Sequence, residues 1–185
     1  RHGADPAILY EAHPHLGTDR LPGIITNIRQ SITDAGGEVL FGKRVTGIDV
    51  SGGRFRNITV NGNEKYAADD LILATGHSAR DIYRLLHCAG ARLAFKPFAM
   101  GVRVEHPQEL VDRIQYHGKA RGEFLPPAAY NLVTQAGGRG VYSFCMCPGG
   151  FMVPSATSPE EVVVNGMSPS RRNSRWANSG IVTEV

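Results

Sequence analysis

Apolar residues recur at helical spacing over one long stretch of the first half, "GTDRLPGIITNIRQSITDAGG" (17–37). Leu21, Ile24, Ile25, Ile28, Ile32 and Ala35 fall on one stripe at the 3.6-residue period. Thr18 or Asp19 can cap the start, Pro22 suits the first turn, and Gly36-Gly37 ends the helix. Such a stripe needs cover, and the sheet that follows is expected to provide it. "EVLF" (38–41) reads as a short strand, "RVTGIDV" (44–50) and "RFRNITV" (54–60) as extended pieces joined by "SGG". "NGN" (61–63) carries Asn-Gly, the strongest short hairpin signal. "LILA" (71–74) shows no alternation, as a central strand covered on both faces would.

The period returns to 3.6 over "HSARDIYRLLHCAG" (77–90), with Ser78 and Asp81 spaced as a capping box. Beyond Gly90 the pattern predicts a strand in "FAMGVRVEH", then a helix in "PQELVDRIQYHG" with Pro107 in its first turn. A strand pair around Pro-Gly-Gly follows in "GVYSFCMCPGGFMV", and another strand in "EEVVVNGM". The polar, basic "PSRRNSRWANSG" (169–180) reads as a loop.

Composition narrows this only a little. With 185 residues, 42% hydrophobic and 20% charged, the chain has the balance of a soluble globular protein of one or two domains. No apolar run approaches the ~20 residues of a membrane-spanning helix. A net charge of +3 supports no extended nucleic-acid track. Three cysteines cannot build a disulfide framework, which fits a reducing, cytoplasmic setting. The chain opens on Arg1 and stops within the apolar "SGIVTEV", so it is expected to be a piece of a longer protein.

The Ala74-Thr75-Gly76 turn is the first candidate site. In open α/β sheets ligands sit beyond the carboxyl ends of strands, and a glycine there admits close approach. The helix, strand, meander and returning strand of residues ~17 to 90 resemble the latter part of the FAD-binding domain of glutathione-reductase-type flavoproteins. "HPHLGTDRL", "KPFAMGVRVEHPQ", "VYSFCMCPGG" and "NGMSPSRRNSRWANSG" look like the bacterial FAD-dependent dehydrogenases, relatives of the HI0933-like flavoproteins. That resemblance covers essentially the whole chain. It implies a partial FAD/NAD(P)-binding three-layer (ββα) α/β domain with an antiparallel meander over residues 1–90. Residues 91–185 would then form a β-rich α+β domain that covers the flavin and shapes a substrate pocket. The implied activity is an FAD-linked oxidoreductase of unassigned substrate, with NAD(P)H as a second candidate nucleotide.

By the same resemblance Val45 occupies the place that holds the adenine through backbone atoms. Ala74, Thr75 and Gly76 form the turn against the dinucleotide. His77 follows, either as an imidazole beside the diphosphate or as the cap of an exposed turn. The glycine-rich GxGxxG loop, which seats a pyrophosphate on a helix N-terminus, does not occur in the sequence. It is expected upstream of Arg1, and the chain alone is expected to bind FAD weakly or not at all. Loss of that first strand and helix would leave an apolar sheet edge, so the piece is expected to dimerise or aggregate.

"SFCMCPGG" places two thiols two residues apart, on one face of a regular strand. Cys147, at the strand end, is the candidate nucleophile or redox group if a positive environment lowers its pKa. The alternative is a buried small hydrophobe. The backbone of Gly149-Gly150 could approach a flat ring closely. Cysteine spacing fits neither a zinc site nor a thioredoxin-like pair, and His13 and His15 have no third ligand in sight, so no metal is expected. "SRRNSRW" sets Arg171, Arg172 and Arg175 beside Trp176, a combination that can bind phosphate, carboxylate or single-stranded nucleic acid. The competing functional class is a non-catalytic module that binds a small anion or a protein.

Overall fold

A computed structural model describes residues 2–118 and 120–185. It is a mixed α/β chain with several sheets, and every strand pairing among the described residues is antiparallel. The chain divides into two compact units: residues 38–96 form one, and the residues up to Gly37 join those from Pro97 onward in the other.

The predicted first helix forms as α1, Leu21–Asp34, with Pro22 in its first turn. Its stripe is not covered. No residue of α1 is buried, and Leu21, Ile25, Ile28 and Ile32 all remain exposed. Spacing specifies which side of a helix is apolar and says nothing of what covers it.

Within residues 38–96, β1 (Val45–Ser51), β2 (Arg54–Val60) and β3 (Glu64–Ala67) make the predicted meander in the order β1-β2-β3. Glycines make the first turn, where Gly52 and Gly53 both adopt left-handed φ (+60° and +71°). At the second turn Asn61 accepts that conformation too, and its side chain bonds the Gly42 carbonyl and the Arg44 N–H. One residue thus turns the hairpin and ties down the lead-in to β1. Val60, 3% exposed, anchors the unit together with Ile82 of α2 (Arg80–Cys88). Burial of a valine side chain contributes about 1.5–3 kcal/mol.

Three expectations fail in this unit. "EVLF" (38–41) is not a strand, and neither is "LILA" (71–74), whose Ile72 is 91% exposed. A strand exists only when its backbone groups meet a ladder partner, and the sheet of this unit holds just the three meander strands. The capping box at Ser78 and Asp81 does not form either. Ala79 caps α2 without a side-chain bond, and Asp81 instead takes the Arg44 guanidinium at 2.6 Å. That exposed ion pair holds the Asp81 carboxyl below its usual range.

In the other unit, β4 (Ala99–Pro107) leads directly into α3 (Gln108–Gln115), with Pro107 as the N-cap rather than inside the first turn. Then come β5 (Val133–Ala136), β6 (Arg139–Cys147), β7 (Phe151–Pro154), β8 (Val164–Met167) and β9 (Trp176–Glu184). The sheet order is β4-β9-β6-β5, with β7-β8 a separate pair. Val111 of α3, Ala128 and Ala177 form the buried cluster, with Tyr116, Tyr130 and Met146 packed around it.

Two further corrections follow. The strands flanking Pro-Gly-Gly do not pair with each other: β6 pairs with β5 and β9, while β7 pairs with β8. The predicted loop 169–180 ends early, because Trp176 begins β9, an interior strand bonded on both sides. Its start, Ala177-Asn178-Ser179, is wholly buried, yet it is small and polar and so shows no apolar alternation.

Candidate functional site

The segments singled out in the sequence of this second unit converge in space. Gly17 faces the backbone of Ser170 so closely that no side chain could fit. The Thr18 N–H donates to the Ser168 carbonyl at 3.1 Å, and Asp19 accepts from both the N–H (2.6 Å) and the hydroxyl (2.7 Å) of Ser170. Those two bonds hold the Asp19 carboxyl below its ordinary value. His15 Nε2 lies 3.0 Å from the Pro169 carbonyl, so a structural contact accounts for this histidine. No cluster of three metal-ligating side chains occurs among the described residues.

The Pro-Gly-Gly turn closes the knot from the other side. Gly149 has φ +52°, and a Cβ there would overlap the backbone of Arg172. A Cβ on Gly150 would overlap the Met167 carbonyl and the Ser168 hydroxyl, which itself donates to the Pro148 carbonyl at 2.9 Å. Both glycines are thus required by the close approach of the chain's own 167–172 segment. The Gly149 N–H donates to Gln108 Oε1 at 2.7 Å. Gln108 Nε2 in turn donates to Asp112 Oδ1 and to the Ala128 carbonyl, both at 2.9 Å. This buried network ties the turn to the first coil of α3.

The two thiols do not share a face. A bulge interrupts the β6–β9 ladder between Phe144 and Cys147, and Cys145 adopts φ +49°. Cys145 is consequently exposed and Cys147 buried. Sequence spacing assumes a regular pleat, and the bulge removes that assumption. Burial pushes the Cys147 thiol up, the Cys145 sulfur adds to the rise, and Arg103 opposes it. A thiol held protonated is a slow nucleophile. Treated with iodoacetamide near pH ~8, Cys88 and Cys145 are expected to react at least ~10-fold faster than Cys147, which should label only on unfolding. Three equally fast thiols in mass spectrometry would contradict this placement.

Arg103, Asn178 and Gly166 belong to this site and were not signalled by the sequence. Arg103 Nη1 donates to Asn178 Oδ1 at 2.7 Å and to the Cys145 carbonyl at 3.2 Å. A side chain at Gly166 would overlap both the Arg103 guanidinium and the Asn178 amide. Their partnership depends on strand register, Arg103 lying opposite Gly180 and Asn178 opposite Glu105, which no local motif encodes.

In the 38–96 unit, Val45 opens β1 and is half-buried. Ala74, Thr75, Gly76 and His77 lie exposed on the irregular segment leading to α2, with Gly76 at φ +76°. Leu73 to Gly76 and Ile82, Tyr83 and Leu86 of α2 line a recess of about 270 Å³. Nothing lies within 4 Å of where a Gly76 Cβ would be. No GxGxxG phosphate cradle accompanies this corner in the sequence.

Comparison with known proteins bears on the second unit most directly. Residues 97–185 match the family model described as FAD-dependent protein, C-terminal domain-like. The match begins at Pro97, where the chain re-enters that unit. Over 185 residues the chain is 43% identical to a curated protein of Clostridium beijerinckii (strain ATCC 51743 / NCIMB 8052) described as an uncharacterized protein. That alignment covers 99% of this chain and 34% of the relative, so the chain spans about a third of the relative's length. The match supports an FAD-dependent family for the second half of the chain. No helix among the described residues is long and apolar enough to cross a membrane.

Proposed function

We propose that these residues are part of an FAD-dependent oxidoreductase, a dehydrogenase whose substrate pocket draws on the 97–185 region. The family match of residues 97–185 is the observation that carries this reading. The glycine corner at Gly76, left-handed and open, supports it from the other unit. A bound flavin supplies hydride transfer, and the protein contributes position and electrostatics. Ala74, Thr75, Gly76 and His77 would line the dinucleotide, Val45 would meet the adenine through its backbone, and the phosphate cradle would come from residues outside this chain. The Cys147 thiol, kept protonated by burial, would act there as packing rather than as a nucleophile.

The test uses the full-length natural protein containing these residues. It is expected to purify yellow, or to become yellow on reconstitution, with flavin absorbance near ~450 nm. Gly76→Val should weaken FAD binding at least about tenfold. The new side chain meets open space in the chain itself, so the fold bears only the cost of left-handed φ, about 1–2 kcal/mol, which circular dichroism and thermal unfolding of the variant check. Bleaching on addition of NADH or NADPH would extend the reading to a nicotinamide donor. A protein that takes up no FAD under native conditions overturns the proposal.

A further inference from the structure

The sequence run Arg171 to Trp176 has no role in the flavin reading, and its surroundings suggest one. It follows the Gly149 knot, and from Arg172 onward it lines a recess of about 580 Å³ together with the N-terminal end of α3. We propose that this recess binds a small organic oxyanion, a carboxylate or phosphate, through Arg172 and Arg175 with Arg121 at its rim. The inference stands apart from the flavin reading, because it concerns one unit only and its signal comes from the protein itself.

The loop is held in place before any ligand arrives. The Ser174 N–H donates to the Gly149 carbonyl at 3.2 Å, and the Gln108 N–H donates to the Arg175 carbonyl at 2.8 Å. The Trp176 N–H donates to the Ser174 hydroxyl at 3.1 Å. Arg172 has φ +47°, and its backbone is pressed against Gly149. A guanidinium on so constrained a stem forgoes little further freedom when it binds.

The charges then favour an anion. Arg172, half-buried, lines the recess and brings a fixed positive charge to it, although its Nε is itself buried and closed to a ligand. Arg175 lies 5.0 Å from the centre of the Trp176 ring, a stacking that orients its planar fork. The first turn of α3 has no side-chain cap, but the Arg175 carbonyl takes the Gln108 N–H and Glu109 lies in that turn. The arginines rather than the helix end therefore supply the positive charge of the recess. Two acidic residues also line the space. Asp112 is committed to Gln108 and the Ala128 N–H, with Arg121 Nε 3.9 Å from its other oxygen. Glu109 is exposed to solvent, where its repulsion is screened. The balance leaves Arg172 and Arg175 available.

Trp176 is the only tryptophan of the chain, so its emission reads the recess alone. The 185-residue chain is titrated at low ionic strength with inorganic phosphate, acetate and benzoate, against sodium chloride of matched ionic strength. A saturable change with Kd of about 1 mM or tighter is expected for at least one of them. A response to acetate and benzoate alone assigns a carboxylate, and one to phosphate alone assigns a phosphate. Arg172→Gln and Arg175→Gln should each weaken binding about tenfold. Arg171→Gln, outside the recess lining, should not. Should Arg172→Gln lose its circular dichroism, the exposed Arg175→Gln carries the comparison. The proposal is overturned if no anion exceeds the chloride control up to about 50 mM, or if folded Arg175→Gln binds as the parent does.

Discussion

Gly149→Ala is expected to lower the stability of the unit from Pro97 onward by about 2–5 kcal/mol. Left-handed φ costs a side chain about 1–2 kcal/mol, and forcing a methyl into filled space adds about 1–3. The neighbour in the way is the Arg172 carbonyl, backbone pinned on both sides, so it cannot swing aside as a flexible side chain would. Gly137→Ala is the control within the same unit. That glycine has φ +58° but open space around it, so only the conformational cost of about 1–2 kcal/mol applies. Urea unfolding followed by Trp176 emission reports on this unit specifically. Equal midpoints for the two variants would mean that the turn does not press against the 167–172 segment.

Asp112→Ala is expected to be comparably damaging, by about 2–5 kcal/mol, for an electrostatic rather than a steric reason. The carboxylate receives the Gln108 Nε2 and the Ala128 N–H, at 2.9 and 2.8 Å, and both donors are buried. Removing the acceptor leaves a backbone N–H and one amide hydrogen unsatisfied, at about 1–3 kcal/mol each. Gln108 would also lose the constraint that aims its Oε1 at the Gly149 N–H. Asp112→Asn keeps an acceptor in the same place and forfeits only the charge assistance, about 1 kcal/mol. A destabilisation by alanine no larger than that by asparagine would refute the network's role.

The failures and successes of sequence reading have one physical origin. Local signals held wherever a residue and its near neighbours decide the outcome. Asn61-Gly62 and Gly52-Gly53 specify turns because few other residues tolerate positive φ, and the meander followed. Pro107 before an amphipathic run specified α3. "LILA" failed because an unbroken apolar run describes a strand only when others flank it. Residues 176–180 failed in the opposite direction. Asn178, Ser179 and Gly180 look like loop residues, yet two ladders bury them between β4 and β6, with Asn178 taking the guanidinium of Arg103.

The candidate site divides along the same line. The sequence drew attention to Asp19, the Pro148-Gly149-Gly150 turn and the Arg171–Trp176 run, as residue types able to turn, cap or bind anions. It could not reveal that Asp19 meets Ser170, that Gly149 exists to admit Arg172, or that Gln108 and Asp112 hold the turn from beneath. Nor could it separate Cys145 from Cys147, since the bulge that exposes one and buries the other arises from the register of β6 on β9. By itself the sequence determined the local conformations, the turns and the chemical repertoire, because those depend on backbone sterics and side-chain functional groups. Only the tertiary structure decided which groups are neighbours, which are buried and which remain free for a ligand, because contacts between residues distant along the chain are set by long-range packing.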